Sequence, residues 1–367
     1  MISIVSVGDI MPGGVLHEKS GSYISDSLLS ILRQADIRIG TLETAVGNNP
    51  SFYGEKMSRR ADVIYVKDND LKRLVELDIN IVSLANNHFF DLGPIGAVHA
   101  LDLLDSLGIQ HCGAGRNLEE ASQPVVVEKD GKSIAFLAFC DWRDETVGWC
   151  PFATDKDPGV NPMYDEYVIN EITKYKRIYD YIAVIPHWGK EHTFVTTRHV
   201  YRLAKKMIKA GADMIFGGHT HRIQPLISRS NKIIAYSMGN FLFPDRIIVS
   251  PRSTFYPNEP IDISTLPITD RYPFVKEMTL KRWAPLARIG MAVITSINEN
   301  RIMAKPFFVH LDSYNVLTSY SIPLIVKIPL LWQYFLLILT PYAWYEFLFS
   351  HMKRFIKRLF VGNEARR

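Results

Sequence analysis

The sequence predicts a layered α/β domain followed by a hydrophobic, basic tail, and three observations carry that expectation. Short β-branched runs alternate with helical patterns along the first half of the chain. Polar residues cluster immediately after those runs, where open α/β sheets place their sites. Near the end, Ile328–Tyr345 contains no charge, and a basic stretch follows it. A chain of 367 residues implies two domains, or one large domain with an appendage. At 47% hydrophobic and 22% charged it has ample material for a core, which excludes a disordered, collagenous or coiled-coil chain.

The elements follow in order. Ile2–Val7 reads as a first strand and not as an export signal, because it lacks a basic leader and Gly8 and Asp9 interrupt the apolar run. A helical stretch around Ser25–Gln34 precedes a strand at Ile37–Leu42. A helix near Asp68–Leu77 leads to a strand at Ile79–Leu84. Another near Pro94–Leu107 leads to Val125–Glu128 and Ser133–Phe139, joined by the hairpin signal Asp130-Gly131. Tyr181–Pro186 reads as a buried strand, and a helix at Arg198–Ala210 stops at Gly211. Met214–Phe216 and Ile233–Ser237 complete the series of strands. From 244 to 287 prolines and charges are frequent and no period survives, so this reads as a long excursion or lid. Met291–Ile297 and Arg301–Val309 form a closing hairpin. The expected organisation is one domain over residues 1–312 and a tail over 313–367.

The net charge of +4 is uneven. From His351 to Arg367 there are six basic residues and one acid, so the rest of the chain is near neutral. A nucleic-acid enzyme carries its basic face on the folded part, and no nucleic-acid partner is expected. Three cysteines without a CxxC pair exclude a disulfide framework and a zinc ribbon. They read as buried thiols in a reducing compartment.

The strand ends gather Asp9, Glu43, Asn87, His88, His187, His219 and His221 at one end of a sheet. Such a mixed oxygen and nitrogen donor set suits Mn, Fe or Zn better than Mg or Ca. Taken singly, Asp9 reads as a helix cap, Glu43 as solvated surface and His88 as a turn residue. The His219-x-His221 pair is sharper, since alternation along an extended segment puts both rings on one side. The preceding glycines permit close backbone approach. Glu191 and His192, just beyond His187, are candidates to line the substrate end.

In that order Gly8-Asp9-Ile10-Met11, Leu42-Glu43, Ser83-Leu84-Ala85-Asn86-Asn87-His88 with Asp91 and Gly93, Gly113-Ala114-Gly115-Arg116-Asn117, Pro186-His187-Trp188-Gly189, Gly218-His219-Thr220-His221 and Ser237-Met238-Gly239-Asn240-Phe241 form a series. It resembles the motifs of CapA-type poly-γ-glutamate capsule biosynthesis proteins, a branch of the calcineurin-like metallophosphoesterases. The resemblance runs from about Ile4 to about Phe308. It implies a four-layer αββα sandwich holding one or two divalent metal ions (Mn, Fe or Zn). By the same resemblance Glu43 would bridge, with Asn87, His187 and His219 completing one metal site and Asp9 with His221 the other. His88 would be the general acid, oriented by Asp91. Those phosphoesterases usually open with Asp-x-His, whereas Met11 stands here, and a thioether is a poor ligand for a hard cation. The first site is therefore depleted.

The expected activity is metal-dependent hydrolysis at a phosphoester or an amide (γ-glutamyl) bond in the biosynthesis of capsule or a related surface polymer. The substrate would be an anionic polymer or a phosphoester. The rivals are a general metallophosphoesterase unconnected with capsule, and a non-catalytic polymer-binding subunit of a membrane synthase. In the tail, Trp332, Tyr334, Tyr342, Trp344 and Tyr345 favour a membrane interface, and His351–Phe360 forms a basic amphipathic helix suited to anionic lipid. The expected location is the cytoplasmic side of the membrane through a peripheral or re-entrant anchor, the alternative being a soluble cytoplasmic protein.

Overall fold

A computed structural model describes residues 1–19, 21–49, 63–141, 150–250, 253–271, 275–299 and 301–339. Two sheets dominate it. The eight-stranded sheet runs Leu317–Tyr320, Arg301–Leu311, Ile289–Asn298, Ile2–Ile10, Ile37–Leu42, Ile81–Ser83, Gln110–Cys112, and Asn240–Leu242 joins the end of Ile2–Ile10. The six-stranded sheet runs Leu226–Arg229, Lys232–Ala235, Met214–Phe216, Tyr181–His187, Lys132–Cys140, Val125–Lys129. The six-stranded sheet has a parallel centre and antiparallel edges, whereas the eight-stranded sheet is antiparallel from Leu317–Tyr320 to Ile2–Ile10 and parallel from there to its edge strand Gln110–Cys112. The parallel steps are bridged by helices, among them Asp26–Arg33, Gly93–Ser106, Asp165–Lys176 and Arg198–Ala210.

Strand alternation sorts the side chains into two packing layers. Along Lys132–Cys140, Ile134, Phe136, Ala138 and Cys140 join the core shared with the eight-stranded sheet. Ala135, Leu137 and Phe139 face the other way, onto Val168 and Ile172 of one helix and Leu203 and Met207 of the next. Ala183 and Ile185 against Ile182 and Val184 repeat the division. Both faces are therefore apolar, as a parallel sheet between two layers requires. The αββα expectation is met.

Helix ends show why the chain turns where it does. Ser25 caps Asp26–Arg33 by accepting from Leu28 N, and Thr197 caps Arg198–Ala210 by accepting from Val200 N. The hairpin at Asp130-Gly131 holds both residues at positive φ, the two-residue turn its sequence signals.

The structure departs from the sequence expectation in places. Asp68–Leu77 is not one helix but a 3-10 turn, Asp68–Leu71, running into Lys72–Glu76. The Asp70 carboxylate accepts from Lys67 N and from Arg73 Nη1 at 2.7 Å, and this local bonding tightens the first turn. The helices Leu118–Ser122 and Asp165–Lys176 were not foreseen, nor was the strand Gln110–Cys112, which is too short to show a period. The aperiodic stretch 244–287 holds a small sheet of its own, ordered Ser253–Thr254, Arg246–Val249, Thr279–Lys281, Ile268–Thr269. Its two ends are stapled together by Asp245, whose carboxylate accepts from Arg288 Nη2 and from Trp283 N.

Cys112, Cys140 and Cys150 are free, buried thiols, and burial pushes Cys112 up to about 12. The tail begins as the helix Leu324–Leu339; 340–345 and the basic stretch His351–Phe360 lie outside the described residues. Among the described residues no helix is long and apolar enough to cross a membrane.

One backbone contact positions the first strand's end. A Cβ on Gly8 would lie 1.8 Å from the Gly239 carbonyl oxygen, and Asp9 N donates to that same oxygen. Gly8→Ala is expected to cost about 3 kcal/mol or more by forcing the two segments apart. Chemical denaturation measures it, and a loss below about 1 kcal/mol would show that the contact can relax.

Candidate metal centre

The carboxyl ends of both sheets meet, and the residues expected from the sequence are delivered there. Asp9 lies one residue from the end of its strand, and Glu43 directly follows Ile37–Leu42. Asn87 and His88 sit in the turn after Ile81–Ser83, shaped by Asn86, which bonds Leu42 O through Nδ2 and His88 N through Oδ1. His187 ends its strand, and His219 and His221 follow Met214–Phe216. Asp9, Glu43, Asn87, His187, His219 and His221 are all buried.

Four donor atoms converge. His187 Nε2 lies 2.9 Å from Asn87 Oδ1, 3.1 Å from His219 Nδ1 and 3.2 Å from Glu43 Oε1. A single imidazole N–H can satisfy only one of these acceptors, so lone pairs are in excess at this point. Both Glu43 oxygens, Asp9 Oδ1 and His187 Nδ1 lack a hydrogen-bond partner among the described residues. Buried acceptors in that state are costly unless a cation meets them. The donor set therefore fits a divalent ion held by Glu43, Asn87, His187 and His219. Asp9, Glu43 and His221 form a second group, whose ligand atoms lie within 4.8 Å of one another.

The His219-x-His221 segment is not extended as its sequence suggests. His219 and His221 hold φ at 85° and 50°, in the left-handed region. Side chains there cost roughly 1–3 kcal/mol each and persist where the surroundings over-determine them. Here His219 N donates to Asp9 Oδ2 at 3.1 Å, and His221 Nδ1 donates to Asn240 Oδ1 at 2.8 Å. Asn240 Nδ2 donates to Ala287 O, which fixes its amide orientation and leaves His221 Nε2 as the coordinating nitrogen. Asn240 stands in the sequence series, but no role for it was foreseen. A Cβ on Gly218 would come within 2.4 Å of Asp9 Oδ1, so glycine is needed where the two sheets touch.

Burial sets the protonation of the site. It raises Asp9 to about 7, against the His219 hydrogen bond. Glu43 is driven well above the usual carboxylate range by burial first and then by Asp9, Glu191 and Asp91, with Arg246 opposing. Burial and the neighbouring imidazoles push His187 and His221 well below the usual histidine value. Neutral imidazoles are ready to coordinate, and a bound cation would favour ionised carboxylates.

His88 and Asp91 are also brought together. His88 Nδ1 donates to Asp91 Oδ2 at 2.7 Å, and that carboxylate oxygen also accepts from Ile64 N. His192 has φ 57°, and its ring centroid lies 5.6 Å from that of His221. Burial, then Arg222 and Lys281, lower His192 to about 4. Glu191 is close enough for its charge to act on Glu43. Met11 is buried, its methyl directed toward Gly14. Trp283 and Arg246, from the excursion, reach the site without any sequence signal: Trp283 lies 4.9 Å from His221 between ring centroids.

Residues 3–245 match the family described as "Bacterial capsule synthesis protein PGA_cap". The chain is 31% identical over 251 residues to the PGA biosynthesis protein CapA of Bacillus subtilis, covering 66% of this chain and 63% of that one. It is 29% identical over 253 residues to the capsule biosynthesis protein CapA of Bacillus anthracis, covering 66% and 60%. It thus spans about three-fifths of the length of these relatives. Among solved structures it is similar to the calcineurin-like phosphoesterase YfkN from Bacillus subtilis, with a TM-score of 0.42 and 15% identity, covering 84% of this chain and 90% of that one.

The raised Asp9 pKa makes a stability prediction with a definite sign. Folded at about 7 and unfolded near 3.8, Asp9 favours the native state when protonated and loses that contribution as pH rises through this window. Asp9→Asn keeps an acceptor for His219 N. In metal-free protein it is expected to raise Tm by about 3–6 °C at pH 8 and to leave it unchanged at pH 4. Equal melting curves at pH 8 would show that the carboxylate is not desolvated.

Proposed function

The chain belongs to this bacterial capsule synthesis family, and we propose that it is a metal-dependent hydrolase in the biosynthesis of an anionic capsule or related surface polymer. One observation carries the hydrolase reading: four convergent donors stand beside a buried His88–Asp91 pair. The names of its capsule relatives support the polymer, poly-γ-glutamate being the type case.

The ligand chemistry favours Mn, Fe or Zn, held by Glu43, Asn87, His187 and His219. Asp9, Glu43 and His221 offer a second, weaker position, because Met11 supplies no hard donor there. A divalent ion so held supplies Lewis acidity toward the scissile phosphoester or γ-glutamyl amide. The chain's own residues do the rest. Asp91 keeps the proton of His88 on Nδ1 and turns Nε2 toward the leaving group. When His88 is protonated, Nε2 gives its proton to the departing oxygen or nitrogen and the Asp91 carboxylate stabilises the imidazolium. Asn87 and His187 fix each other's orientation through their 2.9 Å contact, so the donors are held before substrate arrives. Glu191 and His192 line the substrate side. The basic tail would hold the protein against anionic lipid, within reach of a membrane synthase.

A non-catalytic polymer-binding subunit is the alternative that Met11 favours, since it would need only one structural ion. His88 and Asp91 have no use in that reading.

Metal content and turnover separate the two. Full-length protein is expected to carry at least one equivalent of Mn, Fe or Zn by elemental analysis, lost in Glu43→Gln. On γ-glutamyl oligomers and aryl phosphates, His88→Asn is expected to keep the metal and the fold while lowering kcat by about 10²–10⁴-fold. Bound metal with no turnover of either substrate class by the wild type would overturn the hydrolase reading in favour of the binding subunit.

A further inference from the structure

The helix Arg198–Ala210 carries five cations and no acid along its whole length. Arg198, Arg202, Lys205, Lys206 and Lys209 are all exposed, while Val200, Leu203, Ala204 and Met207 are buried in the core beneath. Steps of three and four residues stack these cations into one stripe, about 16 Å long at 1.5 Å per residue. Like charges at that spacing weaken a helix, and Arg198 stands in the first turn, where the macrodipole disfavours a cation. Outside His351–Arg367 the chain as a whole is near neutral, so this is a local concentration of charge. Asp165 is the acid that meets the helix, at 3.5 Å from His199 and 3.2 Å from Lys206. Arg198, Arg202, Lys205 and Lys209 form no ion pair among the described residues.

The chain's path ties this stripe to the metal centre. His187, one of the convergent donors, ends its strand, and the segment Trp188–Thr197 with Glu191 and His192 leads directly to the helix. That segment is pinned beside the His219–His221 turn. His192 N donates to Thr220 O at 2.8 Å, and Gln224 Nε2 donates to the carbonyls of Thr193 at 3.1 Å and Val195 at 3.2 Å. Thr197 then caps the helix. The stripe therefore begins at the rim of the site, and Lys190, also exposed, lies within the connecting segment. From there the helix runs away from the site, because the next strand, Met214–Phe216, is parallel to Tyr181–His187 and must be entered from the opposite edge.

We propose that the stripe Arg198, Arg202, Lys205, Lys206 and Lys209 is a docking track for a polyanionic chain, leading from the metal centre along the outer face of the protein. It rests on the polymer reading above. A γ-linked glutamyl chain offers a carboxylate on every unit, and a helical row of cations answers a repeating row of anions. Single exposed ion pairs are weak, so the track holds a long chain by several contacts together and a short one hardly at all. A lipid surface fits less well, because no large apolar side chain is exposed along this helix to enter a bilayer.

Fluorescence anisotropy of full-length, metal-depleted protein with a labelled γ-linked glutamate decamer and trimer, at low and high salt, tests it. Wild type is expected to bind the decamer about tenfold or more tighter than the trimer, and salt is expected to weaken the difference. The triple variant Arg198→Gln, Arg202→Gln, Lys209→Gln is expected to lose about tenfold or more in decamer affinity and to keep its trimer affinity. It is expected to melt no lower than wild type, because repelling charges are gone. Neutralising the tail instead, with Lys353→Gln, Arg354→Gln and Lys357→Gln, is expected to leave decamer binding largely intact. The track is refuted if wild type does not bind the decamer, if the folded helix variant binds it as tightly as wild type, or if the tail variant alone loses it. Loss of binding to anionic lipid vesicles in the helix variant, with decamer binding kept, overturns the polymer track in favour of a lipid surface. Turnover is a separate readout: decamer binding through the helix, with no cleavage by the metal-loaded wild type, counts against the hydrolase reading and supports the track.

Discussion

Two carboxylates sealed from water at the junction of two sheets set the terms for everything around them. Asp9 and Glu43 have no measurable exposure, and three of their four oxygens lack a hydrogen-bond partner among the described residues. Removing such groups from water is tolerable only if they stay protonated or meet a cation. His187 and His221 are held neutral by the same burial, so the protein assembles a set of lone pairs. The link that closes the junction is the 3.1 Å hydrogen bond from His219 N to Asp9 Oδ2, which ties one sheet to the other.

The rest of the fold makes that junction rigid. Alternating side chains of Lys132–Cys140 and Tyr181–His187 fill a core against the eight-stranded sheet on one face and lodge helices on the other. With apolar layers on both sides the strand ends cannot drift, and donor atoms only about 3 Å apart stay in register. Local backbone cost is concentrated where the chemistry is. His192, His219 and His221 are all left-handed, and Gly218 stands where any side chain would strike Asp9.

Much of this was legible in the sequence because parallel strands put their carboxyl ends on one edge. Once Ile2–Val7, Ile37–Leu42, Tyr181–Pro186 and Met214–Phe216 are recognised as strands, the residues after them must share a neighbourhood. Asp9, Glu43, Asn87, His187, His219 and His221 could be named on that ground together with the family resemblance. What stayed hidden depends on contacts that no local period reports. The amide of Asn240 orients His221 through a bond that needs Ala287, distant in sequence. Arg246, Lys281 and Trp283 lie in strands and turns too short to leave a pattern, in a stretch that reads as aperiodic. The left-handed turn at His219 was invisible because its cause is Asp9, on the other sheet.

The Asp245 staple has an evolutionary consequence. The donors of the metal centre all come from the two large sheets, within the stretch 3–245 that matches the capsule family. The excursion leaves and rejoins those sheets at one acid, which holds Arg288 and Trp283 N. Within residues 246–282 the exposed stretch 257–269 can change without touching a donor atom, whereas Arg246, whose charge acts on Glu43, and Tyr256, which bonds Gly14 N and Tyr65 O, are held to the frame. The excursion is thereby under a different constraint from the sheets that carry the donors, and the two can diverge at different rates among chains that share one frame.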